Sequence, residues 1–136
     1  MNKEPIMEFK NQEELDKSLQ EWKQRLFLSD WNIKAYLVHG EELPDCAGDS
    51  NVQWVNSCGT IRIRYADELP KDMIEKDPHE KILVHELLHF KMFGYTYKSP
   101  TVEEIFYDEK HHQLLEQFAK SLIMAKYGVS YEWFKN

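Results

Sequence analysis

The residues with the clearest chemical pattern are His85, Glu86 and His89, which form the motif H-E-x-x-H. On an α-helix, residues four apart lie one above the other, so both imidazoles can reach a single metal ion. Glu86 follows the first histidine and can reach a water in an open position of that metal, where it would accept a proton. The pattern therefore predicts a zinc site with Glu86 as the general base.

The alternative interpretation of the motif is a core helix that contains two histidines by chance. The surrounding segment is strongly apolar, with Ile82, Leu83, Val84, Leu87, Leu88 and Phe90. Burying two imidazoles and a carboxylate in such a segment costs free energy unless a partner satisfies them. This cost favours the metal site.

The motif needs a helix with defined ends. Asp77 is a typical N-cap, Pro78 suits the first helical position, and Gly94 is a typical stop. These signals predict a helix of about four turns centred on the motif. They also place His79 in the exposed first turn of that helix.

A second helix is predicted downstream, because Thr101 and Glu104 form a capping box and Gly128 supplies a stop after Tyr127. Two helices joined by a short connection lie antiparallel. A catalytic zinc needs three protein ligands and one open position. The downstream helix is therefore expected to provide the third ligand.

Antiparallel pairing narrows the choice of that ligand. Counting from the predicted ends places His89 opposite residue 107 and His85 opposite residue 111, with Glu116 roughly 7 Å further along the helix. The downstream helix has an apolar stripe, which runs through Leu114, Leu115, Phe118 and Leu122. His111 lies within this stripe or beside it, His112 lies at its edge, and Glu116 lies almost opposite. Geometry alone thus favours His111 or His112 as the third ligand.

The first half of the chain supplies the rest of the domain. Apolar residues at helical spacing predict a helix over residues 12–28, and alternating patterns predict strands over 31–38, 51–55 and 59–65. The 136 residues are enough for one domain and one core. We therefore expect a single α+β domain over residues 1–136, with a small, mostly antiparallel sheet of about three strands.

The motif and the downstream helix together resemble the zincin metallopeptidases. In one branch of that family the downstream helix carries a pattern like E-x-x-A-D-x-F-A, and residues 112–119 (HQLLEQFA) fit its frame. The resemblance places His112 at the third ligand position, where the branch has glutamate, and Glu116 where a residue steadies a ligand. His111 and Glu116 remain alternative ligands. A histidine in place of the glutamate makes the net charge of the site more positive by about one. This favours ionisation of a metal-activated water.

The first half is similar to small bacterial and phage-associated zincins of the SprT-like and ImmA-like kind, through Asp30-Trp31-Asn32-Ile33 and the strands before the motif. This resemblance implies a zinc-dependent endopeptidase, in which Glu86 deprotonates a metal-activated water, acting on a protein or peptide substrate. It also implies that a strand such as Gly59–Tyr65 runs along the cleft and pairs with the substrate backbone.

Composition limits the partners. The net charge is −7, which argues against broad contact with a phosphate backbone. No apolar stretch approaches the length of a membrane span, and the N-terminus lacks a signal-peptide core, so we expect a cytoplasmic protein without a membrane partner. Cys46 and Cys58 lack the spacing of a cysteine metal site or of a disulfide framework.

Two other functions compete with the peptidase. One is a zinc-binding accessory protein that acts through partner proteins and keeps only a vestigial protease site. The other is a DNA-associated factor, since SprT-like domains often act near DNA, although the acidic net charge weighs against it.

Overall fold

The chain forms a three-stranded sheet covered on one face by helices. The computed structural model describes residues 4–6, 8–69, 76–92 and 101–135. Its elements are α1 (Gln12–Arg25), β1 (Asn32–Val38), β2 (Gly48–Gln53), β3 (Cys58–Arg64), α2 (His79–Leu88) and α3 (Val102–Tyr127), with short 3₁₀ turns at Gly40–Glu42, Ala66–Glu68 and Tyr131–Phe134. The predicted α+β class is confirmed.

Capping residues set three of the helix ends. Asn11 accepts a hydrogen bond from the backbone N–H of Glu14 at the start of α1. Thr101 and Glu104 form the predicted capping box at the start of α3, and Gly128 ends that helix in the left-handed conformation, with φ 67°. Only glycine adopts this conformation at little cost, so the stop was readable from the sequence.

The sheet is mixed, and this corrects the mostly antiparallel sheet predicted above. The strand order is β1-β3-β2, with β1 parallel and β2 antiparallel to β3. Strand β3 is therefore hydrogen-bonded on both sides and has no free edge for a substrate. The expectation that Gly59–Tyr65 pairs with substrate is wrong, because β3 lies between the two edge strands of the described sheet, β1 and β2.

Two glycines allow close contacts between the sheet and the segment that carries α2. A Cβ atom on Gly48 would lie 2.7 Å from the Ile82 side chain. A Cβ atom on Gly59 would lie 2.3 Å from the Asn51 carbonyl oxygen and 2.7 Å from the Phe90 ring. A larger residue at Gly48 would press against α2, and one at Gly59 would press against β2 and Phe90, so both positions favour glycine.

Helix α2 differs from its predicted bounds. It begins at His79 after Pro78, with no side-chain cap, and ends at Leu88, so its ten residues make about three turns rather than four. The predicted stop at Gly94 lies outside the described residues. His79 is completely buried and not exposed, because the chain before α1 packs over the first turn of α2.

A buried carboxylate joins the three helices. Glu80 on α2 is fully buried and accepts hydrogen bonds from Trp22 Nε1 of α1 at 2.7 Å and from Lys126 and Tyr127 of α3. Burial would lower the pKa of Lys126, but Glu21 and Glu80 outweigh it and raise that pKa to about 12. Lys126 therefore stays protonated, and its contact with Glu80 joins the end of α3 to the start of α2.

Acid should destabilise the fold through His79. Phe9 N–H donates to Nδ1 of His79, so Nε2 carries the proton and donates to the Arg64 carbonyl oxygen at 2.9 Å. Burial lowers the pKa of His79, and the nearby Glu8 and Asp77 only partly oppose this. A lowered pKa means that stability is fully present above the unfolded value of about 6.5 and is lost as pH falls below it.

We therefore expect wild type to lose more free energy of unfolding than His79→Gln between pH 7.5 and pH 5, by up to about 1.4 kcal/mol per pH unit. Urea unfolding at both pH values measures the difference. Equal pH dependence in the two proteins would show that His79 is not the group responsible.

Within the described residues, no helix combines the length and the apolar character needed to cross a membrane.

Candidate metal centre

The H-E-x-x-H residues lie together at the end of α2. His89 immediately follows the last α2 residue but keeps a helical backbone, with φ −60° and ψ −26°, so the spacing of one turn from His85 is preserved. The two imidazole rings are 5.3 Å apart. One ligand atom each from His85, Glu86 and His89 all lie within 4.8 Å of one another, and among the described residues this is the group compact enough to hold a metal.

The orientation of His85 is fixed by Glu116 of α3. Nδ1 of His85 donates to Oε1 of Glu116 at 2.6 Å, while Nε2 lies 4.0 Å from the Glu86 carboxylate. A neutral imidazole that donates from Nδ1 has its lone pair on Nε2. His85 therefore presents a ligand atom to the same side as Glu86, as histidines that bind metals do when a carboxylate holds their other nitrogen.

Glu116 is itself held by two charged residues. Lys81 Nζ lies 2.9 Å from Oε2 of Glu116 and also forms an ion pair with Asp77. Burial would raise the pKa of Glu116, but His85 and Lys81 outweigh it and lower that pKa to about 2. Glu116 is thus a carboxylate at neutral pH, engaged by His85 and Lys81.

The position of Glu116 corrects the predicted orientation of α3. The buried face of the helix does not follow Leu114, Phe118 and Leu122; its buried residues are Leu115, Ala119, Ile123 and Tyr127. Leu114 and Phe118 are 43% and 42% exposed. Relative to the prediction, the helix is rotated about its own axis by the angle between neighbouring residues. This rotation turns Glu116 toward His85 instead of away from it. His89 accordingly faces His111 and His112, not residue 107.

Both histidines of α3 lie beside the compact group but outside it. The His112 ring is 5.2 Å from His89 and 6.1 Å from His85, and the His111 ring is 6.1 Å from His89. Two imidazoles bound to one tetrahedral zinc, with Zn–N bonds of about 2.0–2.1 Å, have ring centroids roughly 5 Å apart. The imidazole and carboxylate set thus fits zinc, with His112 nearest the required spacing.

Hydrogen bonding also distinguishes the two histidines. Nδ1 of His112 donates to the Asp108 carbonyl oxygen at 3.0 Å, which leaves its Nε2 with a free lone pair, as in His85. His111 has instead a buried Nε2 that makes no hydrogen bond to the described residues. A buried nitrogen is costly to leave without a partner, so His111 remains an alternative ligand for the metal. The choice of His112 as third ligand stays a prediction.

Burial sets the protonation of the motif itself. It lowers the pKa of His89 to about 4, with the neighbouring His85 adding to the effect. His89 is therefore neutral at pH 7, which a metal ligand must be. Burial also raises the pKa of Glu86, although His85 and a hydrogen bond from Ser50 partly oppose it. A carboxylate with a raised pKa is suited to taking and returning a proton.

The motif opens into a cavity of about 960 Å³ between β2, α2 and α3. Its walls carry residues from all three elements, including Gly48–Val52, His85, Glu86, His89, His111, His112 and Glu116. The compact group is therefore accessible to a ligand of substantial size and is not sealed within the core.

Several residues at this site escaped the sequence analysis. Lys81 was not singled out, although Asp77, Lys81, His85 and His89 recur at intervals of four and so lie on one face of α2. That spacing was a usable signal. Ser50 has no such signal, because its contact with Glu86 depends on how β2 packs against α2.

No family model, curated protein or solved structure matches this chain. The function is therefore inferred from the geometry of the site.

Proposed function

We propose that this protein is a zinc-dependent endopeptidase that hydrolyses peptide bonds in protein or peptide substrates. The observation that carries the proposal is the compact group of His85, Glu86 and His89 beside a large cavity. A buried carboxylate next to two imidazoles supplies a general base and two of the three protein ligands that a catalytic zinc needs. We further propose a cytoplasmic location, where the two free thiols of Cys46 and Cys58 would remain reduced.

His85, His89 and His112 would hold the metal. A bound zinc ion would supply Lewis acidity, which lowers the pKa of water and polarises a carbonyl oxygen. Glu116 would keep His85 oriented through Nδ1, and the Asp108 carbonyl would do the same for His112. These partners lock both rings before substrate arrives, so no reorganisation is needed during the reaction.

Glu86 would carry the proton. Its carboxylate would take a proton from the attacking water as the water oxygen bonds to the peptide carbonyl carbon, and would pass that proton to the leaving nitrogen as the C–N bond breaks. Ser50 holds the carboxylate by a hydrogen bond, which limits its motion between the two transfers. The raised pKa of Glu86 brings the carboxyl closer to the pH at which both transfers are favourable.

The sheet edge indicates an extended polypeptide as substrate. Strand β2 pairs only with β3 among the described strands, and its residues 48–52 line the cavity. The unpaired N–H and C=O groups of an edge strand can hydrogen-bond an extended segment of another chain. A flexible or unfolded protein segment meets this requirement better than a folded surface.

Metal removal tests the proposal. We expect the zinc-loaded protein to cleave an unfolded protein substrate, to lose that activity when a chelator removes the metal, and to regain it on addition of stoichiometric zinc. Cleavage fragments identified by mass spectrometry measure the result. Activity that persists in the metal-free protein would contradict the proposal.

The alternative is a zinc-binding accessory protein without proteolysis. The observation that favours it is the second histidine of α3, since four imidazoles from His85, His89, His111 and His112 would leave no open position, as in structural zinc sites. Stoichiometric zinc without turnover on unfolded proteins is the result this alternative predicts.

A further inference from the structure

The two ends of the cavity differ in chemistry. Val52, Trp54 and Met92 make one end apolar. The other end is lined by charged residues that are already paired: Asp49 with Arg62 at 2.6 Å, and Asp77 with Lys81. Because those charges are mutually neutralised, the apolar end offers the stronger means of selecting a ligand side chain.

The position of the compact group along the cavity follows from the way α2 lies beside β2. Gly48 lies against Ile82, Ser50 hydrogen-bonds Glu86, and Gly59, the partner of Val52, lies against Phe90. Helix and strand therefore run in the same direction. Glu86 lies at the level of Ser50, and the apolar end lies beyond it toward Trp54.

Trp54 belongs to a cluster of aromatic side chains at that end. Its ring meets Trp31 edge-on at 6.0 Å, and Trp31 in turn meets Phe90 of the sheet–helix interface at 5.5 Å. Trp54 nevertheless remains 38% exposed and lines the cavity. The indole thus combines packing on the protein with surface exposed in the cavity, which suits it to contact an apolar side chain of a ligand.

We propose that Trp54 forms a specificity subsite for a bulky apolar side chain of the substrate, about four residues from the bond that is cut. The proposal rests on the proposed peptidase function. Trp54 is four residues beyond Ser50, or roughly 13 Å along an extended chain. Antiparallel pairing is the more stable per residue, and a substrate antiparallel to β2 has its N-terminal part at Trp54. The selected side chain is therefore on the N-terminal side of the cleaved bond.

Peptides in which a single phenylalanine is moved along an alanine- and serine-based sequence test this proposal on the zinc-loaded protein. We expect kcat/KM to rise roughly tenfold or more when phenylalanine stands about four residues before the cut, because an apolar side chain then leaves water. Trp54→Ala should remove this preference, and Trp54→Phe should retain most of it. Val55→Ala is the matched control, since Val55 is the next residue, is 97% exposed and does not line the cavity.

Binding of the same peptides to the catalytically inactive Glu86→Gln protein separates the two hypotheses. Cleavage by wild type without any preference at that position, or a preference unchanged in Trp54→Ala, would overturn the subsite. A phenylalanine-dependent affinity that Trp54→Ala abolishes, without cleavage by wild type, would support the subsite and overturn the peptidase function.

Discussion

Replacing Glu86 by glutamine is expected to reduce peptide cleavage by about 10²–10⁴-fold while zinc remains bound, because general acid–base catalysis contributes that much. Glutamine has nearly the same shape as glutamate but cannot accept and return a proton. His85 and His89 are untouched by the change, so metal content should stay at one equivalent. Initial rates on an unfolded protein substrate, together with zinc analysis of the same samples, measure the two effects.

The variant should fold, which makes the result interpretable. Glu86 is only 6% exposed, and burial of its charge is what raises its pKa, so a neutral amide in this place lowers the desolvation cost. The amide oxygen can still accept the hydrogen bond from Ser50. Glu109→Gln is the matched control, because it makes the same chemical change at an exposed position outside the cavity. Cleavage by Glu86→Gln at the rate of the control would refute the assigned role.

The helices could be predicted because their signals are local. Asn11, Thr101 and Gly128 each act through backbone groups within a few residues, and the conformation of such a cap depends little on the rest of the chain. The same holds for β1 and β3, whose alternating residues are buried on one face. The H-E-x-x-H spacing is equally local, which is why the structure brings its three residues together.

The sheet and the α3 orientation depend on distant contacts and were predicted less well. Strand β2 is mostly polar over residues 48–53, since an edge strand beside an open cavity has little to bury, and so its pattern was weak. Helix α3 carries apolar residues on more than one face, with Leu114 and Phe118 exposed. Only the packing of Leu115 and Ala119 on the core decides which face is inside.

The third ligand depends on that orientation, and metal affinity should reveal it. We expect His112→Ala to weaken zinc binding by more than about 100-fold, because even the loss of a hydrogen-bonding partner of a ligand costs about 10–100-fold. The loss of zinc affinity in Glu116→Gln should stay within about 10–100-fold, because this change removes the charge that holds His85 but removes no ligand. Competition with a chelator of known affinity measures all variants on one scale.

His111→Ala provides the contrast, because it removes an imidazole from the adjacent position of the same helix. Its ring is 6.1 Å from His89, against 5.2 Å for His112. Zinc affinity close to wild type in His111→Ala, with the large loss confined to His112→Ala, leaves one metal position open for water. A large loss of zinc affinity confined to His111→Ala would make His111 the third ligand. Equally large losses of zinc affinity in both variants would mean that four imidazoles close the site and that the protein binds zinc without catalysis.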